Sequence, residues 1–438
     1  MMKKRLFIVM SLILTVVLVA GCGSKNESDS SNGEKKGKKL TYMASQGWVT
    51  NAEMELAKQF EQETGIKIDF QIVPSDQYMN IIKARLNSGE GPDIFGGQSG
   101  VSELALNYNV EKNAVDLSDM EWVNRIDPLS LEQLTINDKV YGLTIWDTYN
   151  SFVIGYNKKI FADLQLEIPK TYEEFKNLSI KIKEAGIEPI YEPIADGWHH
   201  VMWFTEAGPQ YDKLEPGLYE DLNQNKRKFV DSEVMVKALE QMKEMYDLGL
   251  FGENSFSDMG SETPAKLGSK QYAMSLTAQS AIIDIVNEFD EYTMDDFGFF
   301  VLPIADNQVY YINPGGPSKF IYSDSKHVEE AKAYFEFITR EENLQYLLDN
   351  DKIVANLNFP GLKDKYSSEQ KKLFEAYPER GVDMQNYITY FNPQWMDIAK
   401  DMVAMLSGVM EPKEVLENID TRREEMAVIA KDPHWTNE

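Results

Sequence analysis

Cysteine is nearly absent: the 438-residue chain has one, Cys22. A single thiol forms neither an internal disulfide framework nor a thiolate zinc cluster. Histidine is scarce too, with His199, His200, His327 and His434 and no His-Glu-x-x-His pair, which argues against a histidine-rich metal centre. Basic side chains are outnumbered, 44 against 71 acidic ones, for a formal charge of −27. That balance argues against nucleic-acid binding, which needs a basic face, and against adhesion to anionic lipid through charge alone. No glycine-rich loop ends in Gly-Lys-Ser/Thr, so any ATP hydrolysis belongs to another polypeptide. Long hydrophobic runs are also missing. The longest, Leu6 to Ala20 with Ser11 and Thr15 inside it, falls short of the ~20 residues of a spanning helix.

What is present begins with that run. Lys3, Lys4 and Arg5 precede it, as in a secretory signal, and it ends in Leu18-Val19-Ala20-Gly21-Cys22. This ending resembles a bacterial lipobox, which implies removal of residues 1–21 and a lipid on Cys22. Ser24 to Lys39 carries no large apolar residue and cannot bury enough surface to fold. Residues 22–39 are therefore expected to be a lipidated tether holding the protein at the extracellular face of the cell membrane. With 43% hydrophobic residues, the remainder is long enough for two lobes.

Leu40 to Ala44 reads as a strand, and Thr50 with Glu53 has capping-box spacing for the helix that follows. Gly65 stops that helix. Ile66, Ile68, Phe70 and Ile72 then alternate with Lys67, Asp69 and Gln71, the pattern of a half-exposed strand. A second helix is expected over about 76–87, and Asp93-Ile94-Phe95 is a third strand. Strand, helix, strand, helix, strand implies a parallel α/β sheet with ligands beyond the carboxyl ends of its strands. Those ends are 45–48, 74–77 and 96–99.

Gly91-Pro92-Asp93-Ile94-Phe95, Val140-Tyr141-Gly142-Leu143 and Tyr156-Asn157-Lys158-Lys159-Ile160-Phe161 occur in the order seen in family 1 extracellular solute-binding proteins, the sugar-capturing subunits of ABC importers. Ile168-Pro169-Lys170-Thr171-Tyr172-Glu173-Glu174-Phe175 resembles the family as well, as does Gly315-Gly316 followed by Ser325-Lys326-His327-Val328-Glu329-Glu330-Ala331. The chain departs from the pattern at Ala273 to Ser280, where the family often has Gly-x-Trp. The resemblance implies a two-lobed α/β fold of the type 2 periplasmic-binding-protein kind, with a ligand cleft between hinged lobes. It implies an N-terminal lobe of residues 40–153 and 303–355 and a C-terminal lobe of 154–302 and 356–438. Phe152-Val153-Ile154 and Phe297 to Leu302 read as apolar crossing strands.

A sugar offers apolar C–H faces to aromatic rings and a rim of hydroxyls to Asp, Asn and Gln. The ligand-binding candidates are Trp48, Gln98, Trp146, Asp147, Trp198, Gln279 and Trp395, all in loops or at element ends. His199 and His200 are expected as cleft or surface imidazoles rather than metal ligands. Gly97-Gln98-Ser99-Gly100 is no nucleophile elbow, because Val101 stands where Gly-x-Ser-x-Gly needs glycine. Asp349-Asn350-Asp351 lacks the later glycine and glutamate of a calcium loop and reads as a polar turn. The expectation is a monomeric, non-catalytic, cofactor-free receptor that hands a carbohydrate to a permease. The alternative is a surface-anchored glycoside hydrolase, which needs two carboxylates roughly 5–10 Å apart.

Overall fold

The computed structural model describes residues 38–351 and 354–435. The signal segment 1–21, Cys22 and the tether as far as Gly37 lie outside the described residues. In chain order the strands begin with β1 (Lys39–Ser45), β2 (Lys67–Val73), β3 (Ile94–Gln98), β4 (Thr135–Ile136), β5 (Lys139–Val140) and β6 (Gly142–Thr144). Next come β7 (Phe152–Asn157), β8 (Glu188–Tyr191), β9 (Tyr272–Ala278) and β10 (Phe297–Phe300). The last are β11 (Tyr310–Ile312), β12 (Pro317–Ile321) and β13 (Arg380–Val382).

One sheet has the order β2-β1-β3-β12-β6. Its first three strands are parallel, and β12 returns antiparallel between β3 and β6. The helices Asn51–Thr64 and Ser75–Ser88 form the two crossovers. Leu40, Tyr42 and Ala44 face a core with Leu56 and Phe60, whereas Met43 faces Tyr78, Ile82 and Leu86 on the other side. Burial on both faces is why β1 is apolar from Leu40 to Ala44 apart from Thr41, which donates to Asp93. β2 is an edge strand, and its alternation holds only in part: Ile68 is buried, but Ile72 is 41% exposed.

Thr50 caps the helix Asn51–Thr64 by accepting from the Glu53 amide at 3.2 Å, and Gly65 ends it in the left-handed region at φ 74°. The reciprocal half of the capping box is not made there. The Glu53 carboxylate turns into the protein and meets Lys319.

A second sheet has the order β10-β7-β9-β8 and its own core, which gathers residues from Val153 to Ile312 and again from Leu373 to Ile419. The two apolar runs expected to cross between lobes are neighbours in this sheet, with Phe297 opposite Asn157 and Phe300 opposite Ile154. Val153, Ile154, Phe297 and Phe300 are buried there. The helix Trp395–Leu406 packs on the second core through Ile398, Ala399, Met402 and Met405, and β11 and β13 form a short parallel pair nearby. Among the described residues no helix is long and apolar enough to cross a membrane.

Candidate functional site

The strand ends of the first sheet carry one group of candidates. After β1 the chain turns at Gly47, with φ 87°, and presents Trp48 half-buried. Its ring meets Tyr78 edge-on at 5.1 Å between centroids, and Tyr78 is fixed by donating its hydroxyl to the Gly96 carbonyl at 2.6 Å. A Cβ on Gly96 would stand 3.0 Å from the indole, so a glycine here lets the tryptophan lie close over the strand. Gln98 ends β3 half-buried, its amide donating to the Tyr108 hydroxyl at 2.9 Å.

Trp146 follows β6 and is gripped through its backbone, which donates to Asn358 Oδ1 at 3.0 Å and accepts from the Asn358 amide at 2.8 Å. Gly316, at φ 155°, lies against the indole; a Cβ there would sit 2.9 Å from Trp146 Cγ. Trp48 and Trp146 line one cavity, of which Glu53 and Lys319 are also part. Neither of those two was anticipated. Glu53 reads as a helix cap, and a lone lysine among Pro317, Phe320 and Ile321 is the one sequence signal that marks this strand as more than core.

Asp147 and Gln279 are buried and committed elsewhere. Asp147 is 2% exposed and accepts from the amides of Tyr149, Ala355 and Asn356 and from the Tyr366 hydroxyl, at 3.0–3.3 Å. Burial pushes its carboxyl up to about 6 despite those four donors. Gln279 is fully buried and donates to the Tyr149 carbonyl at 3.0 Å and the Tyr310 hydroxyl at 2.6 Å. Both side chains tie segments of the protein together, and the Gln279 Oε1 is left without a partner among the described residues.

The second core carries the other group. Trp198 follows Gly197, stands half-buried, and meets Phe152 edge-on at 6.2 Å. Trp395 opens the helix Trp395–Leu406, rests edge-on against Phe391, and donates its indole N–H to the Trp198 carbonyl at 3.1 Å. The two tryptophans thus form one wall. Behind them His199 and His200 are core residues, not surface imidazoles. His199 Nδ1 lies 2.7 Å from Glu192 Oε1, Trp203 donates to Glu192 Oε2 at 2.6 Å, and His200 Nε2 is 2.8 Å from the Ala399 carbonyl. Burial works against a charged His199, but the Glu192 carboxylate outweighs it and holds the imidazole above its ordinary value. Among the described residues no group of three or more His, Cys, Asp or Glu is placed to hold a metal ion.

The two groups meet where the loop after β3 touches the segment before Trp395. The Tyr390 amide donates to Ser102 Oγ at 3.0 Å. Asn386 donates to Asp383 at 2.8 Å and to Asn313 Oδ1 at 2.8 Å, and it lies against Gly315. A larger cavity of ≈ 350 Å³ beside Pro209, Tyr219 and Arg380 is lined by none of the tryptophans.

Residues 46–345 match the family model described as bacterial extracellular solute-binding protein. The diacetylchitobiose binding protein DasA of Streptomyces coelicolor is 29% identical over 225 residues, 50% of this chain and 52% of that protein. The chain therefore spans about half the length of that relative. The multiple sugar-binding protein of Streptococcus mutans is 20% identical over 346 residues, 77% of this chain and 79% of its own. A solved chitin oligosaccharide binding protein superposes with a TM-score of 0.72 at 21% identity, covering 89% of this chain and 99% of that one. The fold is the two-lobed one of these binding proteins. With the family model spanning well over half its length, the chain belongs to the bacterial extracellular solute-binding proteins.

Proposed function

We propose that this protein captures a carbohydrate, an oligosaccharide, outside the cytoplasm and delivers it unchanged to the permease of an ABC importer. The observation that carries the reading is the two pairs of half-buried tryptophans, Trp48 with Trp146 and Trp198 with Trp395, one pair beside each core. Flat rings at loop positions suit the apolar faces of pyranoses. The relatives named for binding diacetylchitobiose and multiple sugars favour the same class. In this reading Trp48, Gln98, Trp146, Trp198 and Trp395 touch the ligand, and the chain passes between lobes near residues 147–151, 313–316 and 359–367, between the two cores. Cys22 carries the lipid, the tether ends at Gly37 rather than residue 39, because Lys38 pairs with Glu330 and Lys39 opens β1, and the receptor works as a monomer.

Thermal-shift screening of the full chain against a saccharide library tests it. A ligand at 100 times its dissociation constant stabilises the fold by about 2.7 kcal/mol, and the sugar recovered afterwards is intact. A library without a single stabilising sugar contradicts the reading; cleaved oligosaccharide would make the protein a hydrolase instead.

A further inference from the structure

The cavity under Trp48 and Trp146 has two charges at its floor. Lys319 and Glu53 are each 4% exposed, with Nζ 3.2 Å from Glu53 Oε2, and Glu53 Oε1 accepts from the Tyr334 hydroxyl at 3.2 Å. An ammonium carries three donors. Among the described residues Glu53 is the one partner Lys319 has, so two N–H groups are unspent in a place closed to bulk water. Trp146 lines the same cavity, and its indole N–H is buried with no acceptor among the described residues. Buried donors without acceptors are destabilising, and here they gather around one space. An acceptor oxygen belongs there.

The surroundings narrow its chemistry. Glu53 already balances the Lys319 charge, so an anionic guest finds no surplus positive charge there and is disfavoured. The remaining wall is apolar, with Ile145, Leu347 and Leu357. The space is ≈ 70 Å³, a few waters' worth, which suits a substituent rather than a sugar ring. A neutral carbonyl bonded to a methyl group and an N–H meets each requirement. Its oxygen accepts from Lys319 and Trp146, its N–H donates to Glu53, and its methyl rests on the aliphatic wall.

We propose that this cavity receives the acetamido group of an N-acetylated sugar and makes the protein selective for N-acetylated oligosaccharides. The inference rests on the carbohydrate reading above. Calorimetric titration of the full chain compares N,N′-diacetylchitobiose with cellobiose, which has hydroxyls in place of both acetamido groups, and with a glucuronic-acid disaccharide. The acetylated sugar binds at least about thirtyfold tighter than cellobiose, since a site built to hydrogen-bond a group rejects the analogue lacking it. Trp146→Phe keeps an aromatic ring, removes the N–H, and weakens the acetylated sugar about tenfold more than it weakens cellobiose. Lys319→Met combined with Glu53→Met removes both charges, so that neither is left buried alone, and brings the preference below about threefold. Should the double variant fail to unfold cooperatively, the Trp146→Phe titration decides alone. Equal affinity for cellobiose, tighter binding of the uronic sugar, or a Trp146→Phe variant with its preference intact overturns the acetamido assignment and leaves the carbohydrate reading standing. Failure of every saccharide in the panel and in the wider library overturns the carbohydrate reading itself.

Discussion

The indole N–H of Trp395 is spent on the Trp198 carbonyl, and its ring leans on Phe391, so this side chain serves the fold as well as any ligand. Trp395→Ala therefore has two effects. Carbohydrate affinity falls by about 2–4 kcal/mol through lost ring contact. Stability falls by about 1–2 kcal/mol, from the lost hydrogen bond and partial packing. Titration and urea unfolding of the same variant separate the two, and unchanged affinity removes Trp395 from the site. Gly316→Ala acts on Trp146 from behind. A Cβ would press on the indole, and φ 155° is strained for any other residue, so a stability loss of about 1–3 kcal/mol is expected together with weaker binding. A normal affinity in that variant would show that the position of the Trp146 ring does not matter.

At the scale of elements, the helix Asn51–Thr64 holds its first turn by the Thr50 cap alone, because Glu53 is diverted to Lys319. Thr50→Ala is expected to cost about 1 kcal/mol in denaturant unfolding; a neutral result would mean that the buried ion pair, not the cap, fixes the helix start. The same element shows how far sequence can be read. The β1–β2–β3 order, both crossover helices and the glycine stop at Gly65 follow from local periodicity and caps. The insertion of β12 between β3 and β6 does not, since it joins segments more than 170 residues apart and no local signal encodes such a pairing. The site divides in the same way. Aromatic residues in loops pointed to Trp48 and Trp146. The burial of Asp147 and Gln279 was not legible, because a polar residue near a strand end looks alike in sequence whether it faces a cleft or ties two segments together. Lys319 and Glu53 were missed because only the tertiary fold brings them within 3.2 Å.

For the whole molecule, buried acids set the response to pH. Burial raises Asp147 to about 6 and both Asp383 and Glu103 to about 7. An acid whose folded value lies above its unfolded one binds more protons when folded, so it stabilises at low pH and its contribution is lost as pH rises from about 4 toward 7. His199, also raised, contributes fully below pH 6.5 and fades as pH climbs through its folded value. Exposed or half-buried acids such as Asp93 and Asp116 are lowered and lose their contribution only below about 4. Denaturant unfolding is thus expected to show greatest stability between about pH 4 and 6, falling by pH 8. A maximum at pH 8 would contradict these assignments. In a two-lobed fold a ligand that touches both lobes favours a closed state, and solution scattering is expected to give a smaller radius of gyration with saturating sugar. Cys22→Ser is expected to release the protein from membranes or leave its signal uncleaved; a cleaved variant that stays in the membrane fraction speaks against a lipid on that residue.

The bond from Trp395 to Trp198 joins residues 197 positions apart. During synthesis, therefore, the wall it builds has no second half until nearly all of the chain has been made, whereas Trp48 and Trp146 both lie in its first third. A chain cut short before its last helices keeps one pair of rings and lacks the other.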